Sequence, residues 1–180
     1  MKKTIVTFGL ISGVVSTSLM VASMLFSDRI GMDHSYFLGY TILVLSFLMV
    51  YFGIRSYRDN VGGGHITFGK AFVIGIAITL ISCVCYVLAW EVLYFKFMPD
   101  FMDKYGAQIL HKMQASGANA AAIQAKAKEL ADFKVKYQNP LFNSAMTFLE
   151  PFPVGLIITL ASALILRRKP ATQTVAVPSS

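Results

Sequence analysis

The sequence predicts an all-α integral membrane protein: four transmembrane helices, with an amphipathic helical hairpin between the third and the fourth. Three observations predict it. Residues 4–27, 35–54, 71–90 and 151–166 contain no Asp, Glu, Lys or Arg. The 180-residue chain is 56 % apolar and only 14 % charged, against about 25 % charged in a typical soluble domain. Tyr and Trp gather where the apolar runs end. A helix rises about 1.5 Å per residue and needs about 20 residues to cross the hydrocarbon core. Three runs have that length, and the fourth reaches it by extending back through Glu150 into "LFNSAMTFL". A soluble chain of core helices would not need four charge-free runs of this kind. A cleaved signal peptide competes for the first run, because "MKK" precedes it and Ala22 and Ser23 are small. Yet the run exceeds the roughly 7–15 apolar residues of a signal.

The first helix is expected at about 4–26, followed by the loop "SDRIGMDH". The second is expected at about 35–54, with Tyr36 and Tyr40 at its start and Tyr51 and Tyr57 at its end. Aromatic rings with polar tips favour the membrane–water interface, so this grouping marks helix ends. A polar turn, "RSYRDNVGGGHITFGK", leads to the third helix at about 69–95, whose far end holds Tyr86, Trp90, Tyr94 and Phe95. The fourth is expected at about 142–166, and the tail 169–180 is expected to be disordered. Residues 1–168 thus read as one membrane domain.

Small residues recur three, four or seven apart: Gly9, Gly13 and Thr17; Gly39, Ser46 and Gly53; Ala71, Gly75 and Thr79; Gly155 and Thr159. Such spacings share a helix face and let backbones approach closely, so a compact four-helix bundle is expected.

The segment 96–140 is the one sizeable element expected outside the bilayer. Phe101, Tyr105, Ile109 and Met113 step by four along one helix face. Pro99 suits the start of that helix and Gly117 its end. Asn119 suits the cap of a second helix with Ile123, Ala127, Leu130 and Phe133 turned inward, ending at Asn139–Pro140. This hairpin is expected to lie on or above the membrane, where it can meet the bundle, lipid headgroups, a protein partner or another copy of the chain.

Lys and Arg give the orientation. One side holds eight: Lys2, Lys3, Arg55, Arg58, Lys70, Arg167, Arg168 and Lys169. The other holds Arg29 and seven lysines of the long segment, also eight. The first set sits tight against helix ends, which favours both termini in the cytoplasm. The net charge of +7 comes from these anchors. No aromatic–basic platform accompanies them, so no nucleic-acid partner is expected.

Candidate chemistry is sparse. The stretch "GGGHITFGKA" contains G-x-x-x-x-G-K, one residue short of a phosphate loop. That loop needs a preceding strand, a following helix N-terminus and Ser or Thr after the Lys. Here a transmembrane helix precedes it and Ala71 takes the last place, so a flexible turn capped by Thr67 is expected and no nucleotide. Cys83 and Cys85 point about 200° apart on a helix, so neither a disulfide nor a shared metal is expected. His34, His65 and His111 are expected in three different loops, and no spacing suggests a metal site. No catalytic, cofactor-binding or metal-ligating set emerges. Glu91 and Glu150 are the candidate functional acids, because acids beside apolar runs are costly and often serve ions or protons. Pro151 and Pro153 weaken the helix next to Glu150, a setting found at ion sites. The bland reading makes both interface acids, hydrated or paired with Arg29 or Lys96.

Three blocks, "ITFGKAFVIGIAITLISCVCYVLAWEVLY", "MQASG…KELADFKVKYQNPLF" and "TFLEPFPVGLIITLASALILRRK", resemble a bacterial membrane family known as domain of unknown function 4199. The resemblance implies a four-helix integral membrane protein of bacteria such as Bacteroidetes. Phe68, Gly69, Lys70, Phe72, Trp90 and Glu91 match its central block, and Glu150, Pro153, Gly155 and Leu156 its last. It implies no activity and no cofactor. The expectation is therefore a non-enzymatic interaction or assembly subunit of the bacterial inner membrane. A small oligomeric transporter or channel using Glu91 and Glu150 is the alternative.

Overall fold

The computed structural model describes the backbone of residues 1–25 and 32–168 and the side chains of 1–23 and 41–168. The expected loop around Arg29, the aromatics Tyr36 and Tyr40, His34, Gly39 and the tail from residue 169 lie outside the described residues. The helices are α1 (Lys2–Leu25), α2 (Met32–Asn60), α3 (Phe68–Val92), α4 (Phe101–Ala115), α5 (Ala120–Tyr137), α6 (Pro140–Leu149) and α7 (Pro151–Leu166). A π-helical turn, Leu93–Phe97, continues α3. Among the described residues the only β-type pairing is an isolated bridge between Ile66 and Arg168. Four helical stretches are long and apolar enough to cross a membrane: Lys2–Ser23, Thr41–Asn60, Phe68–Phe97 and Pro140–Leu166.

Three boundaries differ from expectation, each for a local reason. The second helix runs six residues past Ile54. Its added residues are mostly polar and are tied by Arg55 to Asp59 at 3.5 Å, the i,i+4 spacing. The third helix widens into the π turn at Leu93–Phe97. The fourth expected helix is two: α6 starts at Pro140 and α7 at Pro151, with Glu150 between. Pro151 and Pro153 bring no N–H, so Thr147 and Leu149 cannot receive the ordinary i+4 bond, and the helix breaks there.

The chain forms two compact units, 1–82 with 152–180, and 83–151. In the first, α1, α2, the first part of α3 and α7 pack around Phe47, Val50, Ile54, Ile74 and Ile78, all essentially sealed from the surface. Apolar burial does not drive helix association inside lipid, since acyl chains are as apolar as Leu; close packing and interhelical hydrogen bonds do. Both are present. Thr79 and Thr159 hydroxyls meet at 3.0 Å. Ser12 donates to the Ser46 carbonyl at 3.0 Å and meets the Ser82 hydroxyl at 3.0 Å. Bonds of this type contribute about 0.6 kcal/mol each in a bilayer. The small-residue stripes set the helix spacing. A Cβ on Gly75 would meet Thr159, and one on Gly155 would meet Thr79, so each helix offers a glycine to the other's threonine. A Cβ on Gly9 would likewise fall 2.8 Å from the Ile81 side chain.

The glycine-rich turn is used up by the fold. Val61 and Gly62 amides bond to the Tyr57 carbonyl, Gly64 to Arg58, His65 to Gly62 and Ile66 to Arg168. Gly63 and Gly64 adopt φ of +58° and +82°, which L side chains seldom take. Thr67 accepts from the Lys70 amide at 3.4 Å and caps α3. The Gly64, His65 and Ile66 amides at the start of the stretch are therefore engaged with protein carbonyls.

Candidate functional site

The second unit contains both candidate acids and nearly all of the aromatic side chains of α3–α6. It is built outward from Asn139. That side chain accepts from the Leu141 and Phe142 amides at 2.9 and 3.3 Å, and Pro140 occupies the first turn of α6. An Asn cap followed by Pro starts a helix firmly. It also fixes the phase of α6, so that Asn143 and Thr147, four apart, share its inner face.

From there a chain of hydrogen bonds runs through three helices. Asn143 Nδ2 donates to the Tyr137 carbonyl at 3.3 Å. Trp90 Nε1 donates to the Tyr137 hydroxyl at 3.0 Å. The Tyr137 and Thr147 hydroxyls meet at 3.3 Å, and Thr147 donates to Asn143 Oδ1 at 3.2 Å. Indole N–H only donates, so the Tyr137 oxygen accepts from Trp90 and its own proton goes to Thr147. The direction is fixed from Trp90 to Asn143. All four residues are buried, Asn143 completely. Among the described residues no buried side-chain nitrogen or oxygen lacks a partner. Burial is the main reason the Tyr137 phenol sits above its ordinary pKa; the Trp90 and Thr147 bonds oppose it and Glu150 adds to it.

Aromatic rings surround this chain. Tyr137 meets Tyr94 edge-on at 5.2 Å and stacks on Phe133 at 5.4 Å. Phe101 meets Trp90 edge-on at 5.0 Å. Such pairs add about 0.5–1.5 kcal/mol beyond the area they bury. The π turn carries Tyr94 into the cluster, where it is buried. Asp103 of α4 pairs with Lys134 of α5. The expected inward faces of α4 and α5 are half-buried, but the most buried α4 residues are Met102 and Gly106, one position on. Gly117, at φ +76°, ends α4, and Asn119 caps α5 by accepting from Ala122 at 2.8 Å.

The two acids stand outside the closed network, each held by one hydroxyl. Ser144 donates to Glu91 Oε1 at 2.9 Å. Tyr86 donates to Glu150 Oε2 at 3.4 Å. Residues 86 and 150, and 91 and 144, make α3 and α6 antiparallel with a polar rung at two levels. The described ion pairs include neither acid, and their described partners are the Ser144 and Tyr86 hydroxyls. The acids do not converge on one centre, and among the described residues no three His, Cys, Asp or Glu lie close enough to hold a metal. Cys83 and Cys85 are free thiols. Every member of the Trp90–Asn143 chain has a hydrogen-bond partner within the protein, so the chain orders this part of the structure.

Sequence reasoning missed Tyr137, Asn143 and Thr147 as a unit. Their signal was present: Asn143 and Thr147 are polar, four apart, in an otherwise apolar helix, and polar side chains inside such helices seek partners. No curated protein and no solved structure matches the chain. A family model, described as protein of unknown function (DUF4199), matches residues 7–168. That match takes in every described helix apart from the first few residues of α1, both acids and the Trp90–Asn143 chain, and the protein belongs to this family.

Proposed function

We propose that the chain is a multi-pass protein of the bacterial inner membrane that works without catalysis, as an interaction or assembly subunit. In this reading 96–140 is an amphipathic helical hairpin outside the bilayer, both termini are cytoplasmic, and the hairpin holds a protein partner or a second copy. The observation that carries the reading is the closed Trp90–Tyr137–Thr147–Asn143 chain. It ties the end of α5 to α3 and α6 through buried hydrogen bonds. A segment fixed in this way is pre-organised, which lowers the ordering cost of binding. Its exposed side carries Lys104, Lys112, Lys128 and Lys136.

The test is cross-linking of intact cells with a membrane-impermeant, lysine-reactive reagent, read by mass spectrometry. Hairpin lysines are expected to react and to link to one protein or to another copy. If they react only after the cells are opened, the orientation is wrong. If they react and link to nothing, the interaction reading fails.

A second reading, a small oligomeric transporter or channel, draws on Glu150. It lies at the interruption between α6 and α7, hydrogen-bonded to Tyr86, and acids at broken helices serve ions. Under it, Glu150→Gln abolishes cation flux in liposomes. Under the first reading wild type and variant are equally silent.

A further inference from the structure

An apolar groove of about 270 Å³ runs between α3 and α6. Val84, Val87 and Leu88 form one wall, and Leu141, Ala145 and Phe148 the other, with Ser144 among them. Both walls belong to helical stretches apolar enough to cross a membrane. The α3 wall has a definite continuation. Residues 84, 87, 88 and 91 share one helix face, so the next group along that wall is the Glu91 carboxyl. Its Oε1 takes the Ser144 proton at 2.9 Å, which removes the one hydroxyl of the groove and leaves Oε2 for another donor. Glu91 is half-buried, and none of the described ion pairs supplies it with a cation.

We propose that this groove binds one acyl chain of a phospholipid whose headgroup carries a primary ammonium, and that Glu91 receives the ammonium. The proposal rests on the reading that α3 and α6 lie in a bilayer. There the groove is in contact with acyl chains whatever else occurs, and contact area alone does not select a lipid. Glu91 supplies selection. A carboxylate at the edge of an apolar wall favours a cationic headgroup over an anionic one, because an ammonium pairs with it and a second negative charge is repelled. The occupant is a lipid and not a helix of a second copy, because an apolar helix laid across this face would desolvate the Glu91 carboxylate with only the Ser144 hydroxyl to meet its charge, which is costly.

The experiment uses the full-length protein, purified in detergent with equal amounts of phosphatidylethanolamine and phosphatidylglycerol of identical chains. Bound lipid is counted by native mass spectrometry. Wild type is expected to retain one phosphatidylethanolamine in about tenfold preference. Glu91→Gln keeps the fold and one bound lipid but loses the preference. Ala145→Phe, at an exposed position, fills the groove and loses the lipid, while circular dichroism and melting temperature stay at wild-type values. Equal retention of the two lipids by wild type overturns the proposal, as does a preference that survives Glu91→Gln. A dimer that Ala145→Phe abolishes, with no lipid retained by wild type, also overturns it. None of these outcomes depends on whether the lysines of the hairpin find a protein partner, so the two readings fail separately.

Discussion

Asn143 is the residue on which most depends. It is fully buried, and its amide both donates to the Tyr137 carbonyl and accepts from Thr147. Asn143→Ala leaves the Thr147 proton without its acceptor, a loss of about 1–3 kcal/mol, and a lower melting temperature in detergent is expected. Tyr137→Phe leaves the Trp90 N–H unpaired at a similar cost. Because Tyr137 and Thr147 share one chain, Tyr137→Phe and Thr147→Ala are expected to be non-additive, the double variant losing less than the sum. A double-mutant cycle by thermal melting checks this. The Tyr137 phenol is raised by burial, so the fold holds its proton more tightly than the unfolded chain does. Its contribution is complete below the unfolded value near 10 and falls as pH rises toward the higher folded one. Alkaline loss of stability in that window should be smaller in Tyr137→Phe, as seen by melting at graded pH.

Among the elements, the pairing of α3 with α7 rests on glycines. A Cβ at Gly155 would overlap Thr79 and Phe47, and the latter is a sealed core ring with no room to retreat. Gly155→Val is expected to cost about 1–3 kcal/mol by overpacking, read as a lower melting temperature in the same detergent. Gly69, which has open space around its Cβ position, should accept Ala with little change. This difference shows what was legible in the sequence. The spacing of Gly75, Thr79, Gly155 and Thr159 announced close helix faces, because spacing is a property of one helix. Which glycine meets which threonine is a property of two, and nothing in either segment alone carries it. The same limit applies to the site. Glu91 and Glu150 stood out as acids beside apolar runs, whereas Ser144 and Tyr86 gave no sign of being their partners. The break at Glu150 was foreshadowed by Pro151 and Pro153. The π turn at Leu93–Phe97 was not, since ordinary helix formers fill it.

At the scale of the whole molecule, charge-free runs near 20 residues pointed to four stretches able to cross a membrane before any contact was known, because bilayer thickness is an external ruler, and four helical stretches of that length and apolarity are present. Washing membranes at alkaline pH should therefore leave the full chain in the pellet, and its recovery in the supernatant would refute a spanning arrangement. In the polar turn 61–67, whose three glycines point to flexibility, the amides of Val61, Gly62, Gly64, His65 and Ile66 have carbonyl partners. Composition reports what a turn permits, and the partner that restrains this one lies about a hundred residues further along.

That partner has a consequence for how the protein is made. Ile66 donates to the Arg168 carbonyl at 3.0 Å and accepts from its amide at 2.9 Å. Ribosomes deliver residue 66 well before residue 168, at about 5–20 residues per second. For several seconds the nascent turn has no such mate, and it acquires one only when the last apolar stretch has left the ribosome. Protease sensitivity of this turn in stalled translation products would thus serve as a clock, switching off only once Arg168 has emerged from the ribosome.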